Sequence, residues 1–135
     1  MCIRDSFTPT FKATSGNPSL NYSDRTGHYV KIGRIVHFQI RILLANPNAV
    51  VSAGSGTLYI DDLPFNPAAQ AYGGASVAYF SNWVGTAPLY ALMSQTHNYL
   101  YLYTGNNGGY SDPAGGGNLG NATQIRLFGS YMANA

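Results

Sequence analysis

Between Ile35 and Leu44 the sequence IVHFQIRILL alternates strictly, and no other stretch constrains the fold as much. Val36, Phe38, Ile40, Ile42 and Leu44 fall on one face, and Ile35, His37, Gln39, Arg41 and Leu43 on the other. Successive side chains of a strand point to opposite sides, whereas a helix would spread each set around its axis. The stretch therefore predicts a long strand from about Arg34 to Leu44 with one face in a core. Its second face is apolar at both ends but polar and basic in the middle. Such a face needs water or a partner.

The rest of the chain reads the same way. FTPTFKAT predicts a short edge strand, because Pro9 cannot donate to a sheet ladder. SGNPS is a turn, LNYS a short strand, and DRTG a further turn into HYVKIG; Gly33 marks a tight turn or a bulge before the long strand. ANPNAVVSAGSG reads as a loop and TLYI as a strand. DDLPFNPAA reads as an irregular crossing in which Leu63 and Phe65 plug the core. ASVAYFSN, LYALMS, HNYLYLYTG and TQIRLFGSYM are further strands, and GNNGGYSDPAGGGNLGN is a long Gly/Asn-rich loop. No stretch has convincing helical periodicity. Strands at spacings of about 8–12 residues with Gly/Pro turns predict an all-β antiparallel sandwich or barrel.

Composition narrows the partners. The 135 residues suffice for one domain with a modest core. Only 9% are charged, Glu is absent, and the formal net charge is +2 with the basic residues scattered. Nucleic acid, which calls for a clustered basic footprint, is not an expected partner. No apolar run approaches the roughly 20 residues of a membrane span, so membrane insertion is not expected either. A surface made of Ser, Thr, Asn, Gly and Tyr suits hydrogen bonding to sugars or protein neighbours.

The first residues, MCIRDS, resemble the translation of a transposon-end adapter used in sequencing libraries. On that reading residues 1–6 are a scar, Cys2 carries no redox information, and residues 7–135 form a single domain at the C-terminus of a longer protein.

Four motifs in order carry a family resemblance: Phe7-Thr8-Pro9-Thr10; Gly27, Tyr29, Gly33 and Val36 leading into the long strand; Leu63-Pro64-Phe65; and Gly129-Ser130-Tyr131. Together they resemble the C-terminal domain of tailed-phage tail fibres and other virion adhesins. The chain departs from that pattern at Asp61 and Asp62, where Gly is usual, and in the Gly-Ser order of the last motif. The resemblance implies a jelly-roll-like β-sandwich at the tip of a virion tail fibre. It also implies a homotrimer carried on an upstream fibre shaft, facing a host cell-surface glycan or protein. His37, Gln39 and Arg41 would then be polar groups satisfied at a trimer interface, the alternative being a solvent-facing strand surface.

Catalytic constellations are sparse. Asp61 and Asp62 are adjacent and point to opposite faces of an extended segment, so they cannot readily flank one glycosidic bond. Asp24 and Asp112 fall in expected turns. His28, His37 and His97 include no close-spaced pair, so no metal site and no cofactor are expected. The sequons at Asn21 and Asn121 matter only in a secretory eukaryotic setting. Aromatic residues remain: 11 Tyr, 6 Phe and one Trp. Trp83, flanked by Ser81 and Asn82, is either a sugar-stacking platform or a core plug. Tyr99, Tyr101 and Tyr103 form a stripe expected at the trimer interface. Asn106, Asn107, Tyr110 and Asp112 lie on the long loop, the expected place for host contact, although its glycines equally fit a passive linker. No catalytic residue is expected. The competing readings are a structural trimerisation cap, a stand-alone carbohydrate-binding module, and a tailspike component with catalysis upstream.

Overall fold

A computed structural model of the chain describes residues 2–69, 73–85, 87–104 and 118–134. Eleven strands are present: β1 (Cys2–Phe7), β2 (Thr10–Ala13), β3 (Ser19–Leu20), β4 (Tyr22–Ile32), β5 (Ile35–Leu44), β6 (Val50–Ser52), β7 (Leu58–Asp61), β8 (Gly74–Ser81), β9 (Tyr90–Met93), β10 (Leu100–Tyr103) and β11 (Gln124–Met132). Nine form one antiparallel sheet in the order β1-β4-β5-β11-β8-β9-β10-β7-β2, and β3 pairs with β6 apart from it. No α-helix occurs among the described residues.

The alternating run behaves as its pattern requires. Val36, Phe38, Ile40, Ile42 and Leu44 are buried, while His37, Gln39 and Arg41 are exposed. β5 is central because both its neighbours are long: β4 pairs with it from Tyr22 to Ile32, and β11 from Gln124 to Met132. Gly33 sits at φ 60 in the turn joining β4 to β5, a left-handed conformation that most residues avoid.

DRTG was expected to turn the chain; instead Asp24 to Gly27 lie within β4. The long partner strand pulls this polar segment into the ladder, with an irregular register between Tyr22 and Asp24 absorbing the mismatch. β6 likewise occupies part of the stretch read as a loop.

One sheet makes a core by curling until its edges meet. Inward side chains from β2, β5, β7, β8, β9, β10 and β11 join one buried cluster. The far-edge strand β2 reaches β4, next to the other edge: the Phe11 amide donates to Tyr22 Oη (3.0 Å) and Arg25 Nη1 donates to Thr10 Oγ1 (3.2 Å). The two halves therefore face each other as a sandwich. Leu63 is buried in the crossing and Phe65 packs against the core, as expected of them. Tyr131, buried on β11, pins that crossing by donating to Phe65 O (2.9 Å) and accepting from Phe65 N (3.2 Å). Between β11, β8 and β9, Gly129, Gly74, Ala75 and Ala91 allow close approach; a Cβ on Gly129 would collide with the Gly74 carbonyl oxygen.

Candidate functional site

The outer face of the curled sheet carries two separate patches. The first lies over β4, β5, β11 and β8. Cross-strand pairing sets His28 and Phe128 on either side of Gln39, Thr26 and Arg126 on either side of Arg41, and Val30 and Ser130 on either side of His37. Asp24, Thr26, His28, Gln39, Arg41, Arg126 and Phe128 line an open groove of about 720 Å³, and a smaller hollow continues it past His37. A bulge in β8, between its pairings to Arg126 and Leu127, inserts Ala78 at the groove wall.

Charge in the groove is unbalanced. Arg41 Nη1 donates to Asp24 Oδ2 (2.6 Å), and Thr26 Oγ1 donates to Asp24 Oδ1 (3.1 Å). Arg126 is held differently. Its Cζ lies 5.3 Å from the Tyr79 ring centre. With the Gln124 amide oxygen turned toward it, Arg126 donates from Nε (3.0 Å) and Nη2 (3.1 Å). Among the described residues the ion pairs are Lys12–Asp61 and Arg41–Asp24, so Arg126 faces no carboxylate. Phe128 is 53% exposed beside it.

The second patch lies over β7, β10 and β9. Tyr101 stands between Tyr59 and Leu92, and Tyr103 stands opposite Tyr90. Tyr99 packs 4.4 Å from Tyr59 and 5.1 Å from Tyr101, centroid to centroid, and His97 stacks on it at 5.2 Å. The Tyr99 and Tyr101 hydroxyls lie 3.1 Å apart. That hydrogen bond, then burial, pushes the Tyr101 phenol up to about 12. Tyr90 and Tyr103 stack at 5.4 Å. The patch offers flat aromatic edges and hydroxyls, the chemistry of sugar faces and of protein interfaces alike.

His37, Gln39 and Arg41 thus belong to one patch and the tyrosine stripe to the other. Four inter-strand steps separate β5 from β10, roughly 19 Å along the sheet. Trp83 is half-buried: its Nε1 donates to Gln124 O (3.0 Å) and its ring meets Phe11 edge-on at 6.2 Å. It also lines a hollow of about 350 Å³ with Phe80, Asn82 and Leu89. Asn106, Asn107, Tyr110 and Asp112 lie outside the described residues.

The other candidates have structural partners. Asp24, read as a turn residue, is a strand residue paired with Arg41. Asp61 accepts from Lys12 Nζ (2.7 Å), and Asp62 takes a φ of 70 at the end of β7. The sequon amides are engaged: Asn21 donates to Asn48 O and Asn121 accepts from Ala49 N. No cluster of three potential metal ligands occurs among the described residues. Arg126 and Phe128 escaped sequence reading, although QIRLF alternates and places both opposite the buried Ile125 and Leu127. Their meeting with Arg41 and Gln39 depends on a register between strands some eighty residues apart, which periodicity does not encode.

No protein-family model matches the chain, and no curated protein matches it. Among solved structures, the crystal structure of the Dettilon tailspike protein (gp208) superposes with a TM-score of 0.78 at 21% sequence identity, covering 98% of this chain and 24% of that chain. The chain therefore has an all-β, antiparallel fold found within a tailspike. It spans about a quarter of that tailspike's length.

Proposed function

We propose that the chain is an attachment domain of a phage tail protein, of the tail-fibre or tailspike kind. It works at the outside of the virion, on the distal part of a trimeric fibre carried by an upstream shaft. It holds host surface glycan or protein by stacking and hydrogen bonding, without turnover. The observation that carries this reading is the 0.78 superposition of nearly the whole chain on part of a tailspike. The outer face supports it: a polar groove and a tyrosine patch, both accessible, on a protein with few charges. Several weak contacts repeated over three copies give useful avidity. The residues Asn106, Asn107, Tyr110 and Asp112, and Trp83 at its own hollow, are further contact candidates.

An exposed apolar side chain favours a second reading, a trimerisation cap that registers the fibre. Leu92, across from Tyr101, is 46% exposed in the patch of Tyr99, Tyr101 and Tyr103, and a neighbouring copy would cover it. His37, Gln39 and Arg41 are the polar part of that proposed interface.

Deleting residues 106–118 separates the two readings when adsorption to bacterial cells and solution mass are both measured. Attachment predicts lost adsorption with an unchanged oligomer. A cap predicts the reverse sensitivity, with substitutions at Gln39, Arg41 or the tyrosine stripe dissociating the trimer. Adsorption that survives both sets of changes contradicts these contact residues, and absence of adsorption by the unaltered chain contradicts the attachment reading.

A further inference from the structure

Arg41 and Arg126 stand directly opposite each other on neighbouring strands. Like charges in that position repel, and a sheet gains nothing in stability from them. One carboxylate, Asp24, reaches Arg41 from its far side and is shared with Thr26. Arg126 is oriented by neutral groups, the Tyr79 ring and the Gln124 amide, and faces no carboxylate among the described residues. Both arginines line one groove, one ion-paired and the other not, and guanidinium groups so placed can take an oxyanion. Beside them Phe128 presents an exposed ring, and Gln39, His28 and Thr26 present polar groups along the same groove.

We propose that this groove binds a saccharide bearing an oxyanion, a uronate carboxylate or a phosphodiester. Arg41 and Arg126 converge on the anionic group. Phe128 lies against the sugar ring. Gln39, His28 and Thr26 take its hydroxyls. This deepens the attachment reading and rests on it: the outer strand face serves the ligand, and the tyrosine patch is left for the neighbouring copy.

The test is titration of the chain with three probes: tetragalacturonate, its uncharged methyl ester, and a glycerol-phosphate teichoic acid fragment. Binding of either anionic probe, absent for the ester and weakened by salt, is the expected result, and the probe that binds identifies the source of the anion. Arg126→Gln lowers that affinity by about tenfold or more, Arg126→Lys by less, and Phe128→Ala weakens it while leaving the salt dependence intact. Equal binding of ester and acid, binding of neither anion, or full affinity in Arg41→Gln and Arg126→Gln each overturns the proposal. If those variants adsorb normally to bacteria that the wild type binds, the groove assignment fails and attachment stands. If the wild type adsorbs to no bacterium, attachment itself fails.

Discussion

Tyr131 shows how one side chain can hold a crossing that lacks secondary structure. Its ring is buried among core residues, and its hydroxyl satisfies both the N–H and the C=O of Phe65. Removing it in Tyr131→Phe leaves two backbone groups without a partner and is expected to cost about 1–3 kcal/mol, read by denaturant unfolding. Burial also pushes the Tyr131 phenol up to about 12 from its ordinary 10.0. A folded-state value above the unfolded one means the contribution is fully present below pH 10 and is lost as pH rises toward 12. Tyr131→Phe is therefore expected to flatten stability across that window, leaving the slope due to Tyr22, Tyr59 and Tyr101, which are also raised. Gly129 makes a different demand. A methyl group there strikes backbone on β8, which cannot swing away as a side chain would. Gly129→Ala is expected to destabilise by about 3 kcal/mol, at the upper end of ordinary substitutions.

Among the strands, the seam where β2 meets β4 decides whether the sheet closes. No backbone ladder joins them; Tyr22 Oη and Arg25 do so through side chains. Tyr22→Phe is expected to cost about 1 kcal/mol and to speed hydrogen exchange at the Phe11 amide, with little change at Ile40 in the central strand. This seam also marks where sequence reading stopped. The alternation from Ile35 to Leu44 placed β5 and its buried face, and Gly33 placed its turn, because both signals are local. DRTG failed because turn chemistry lost to a long partner strand. One half of the groove, His37-Gln39-Arg41, was visible as an alternating face; the other, Arg126-Phe128, was missed although QIRLF alternates too. Their register was not visible, because it is fixed by the packing of strands far apart in the chain. The tyrosine stripe was legible as a stripe, but Tyr59 and Tyr90, which complete the patch, come from other strands.

As a whole molecule, the chain is a curled sheet with an apolar inside and a patterned outside. Its two outer patches differ in chemistry, one charged and grooved, the other aromatic. Light scattering on the intact chain is expected to give three times the 14.4 kDa protomer mass, and substitution of Tyr101 together with Leu92 by Ser is expected to reduce it to one. Attachment is tested by adsorption of the fluorescently labelled chain to a panel of intact bacteria. An attachment domain adsorbs saturably to particular strains and is competed by surface polysaccharide or surface protein released from the same strain. Adsorption to no strain above the level of an unrelated β-sheet protein would contradict the attachment reading.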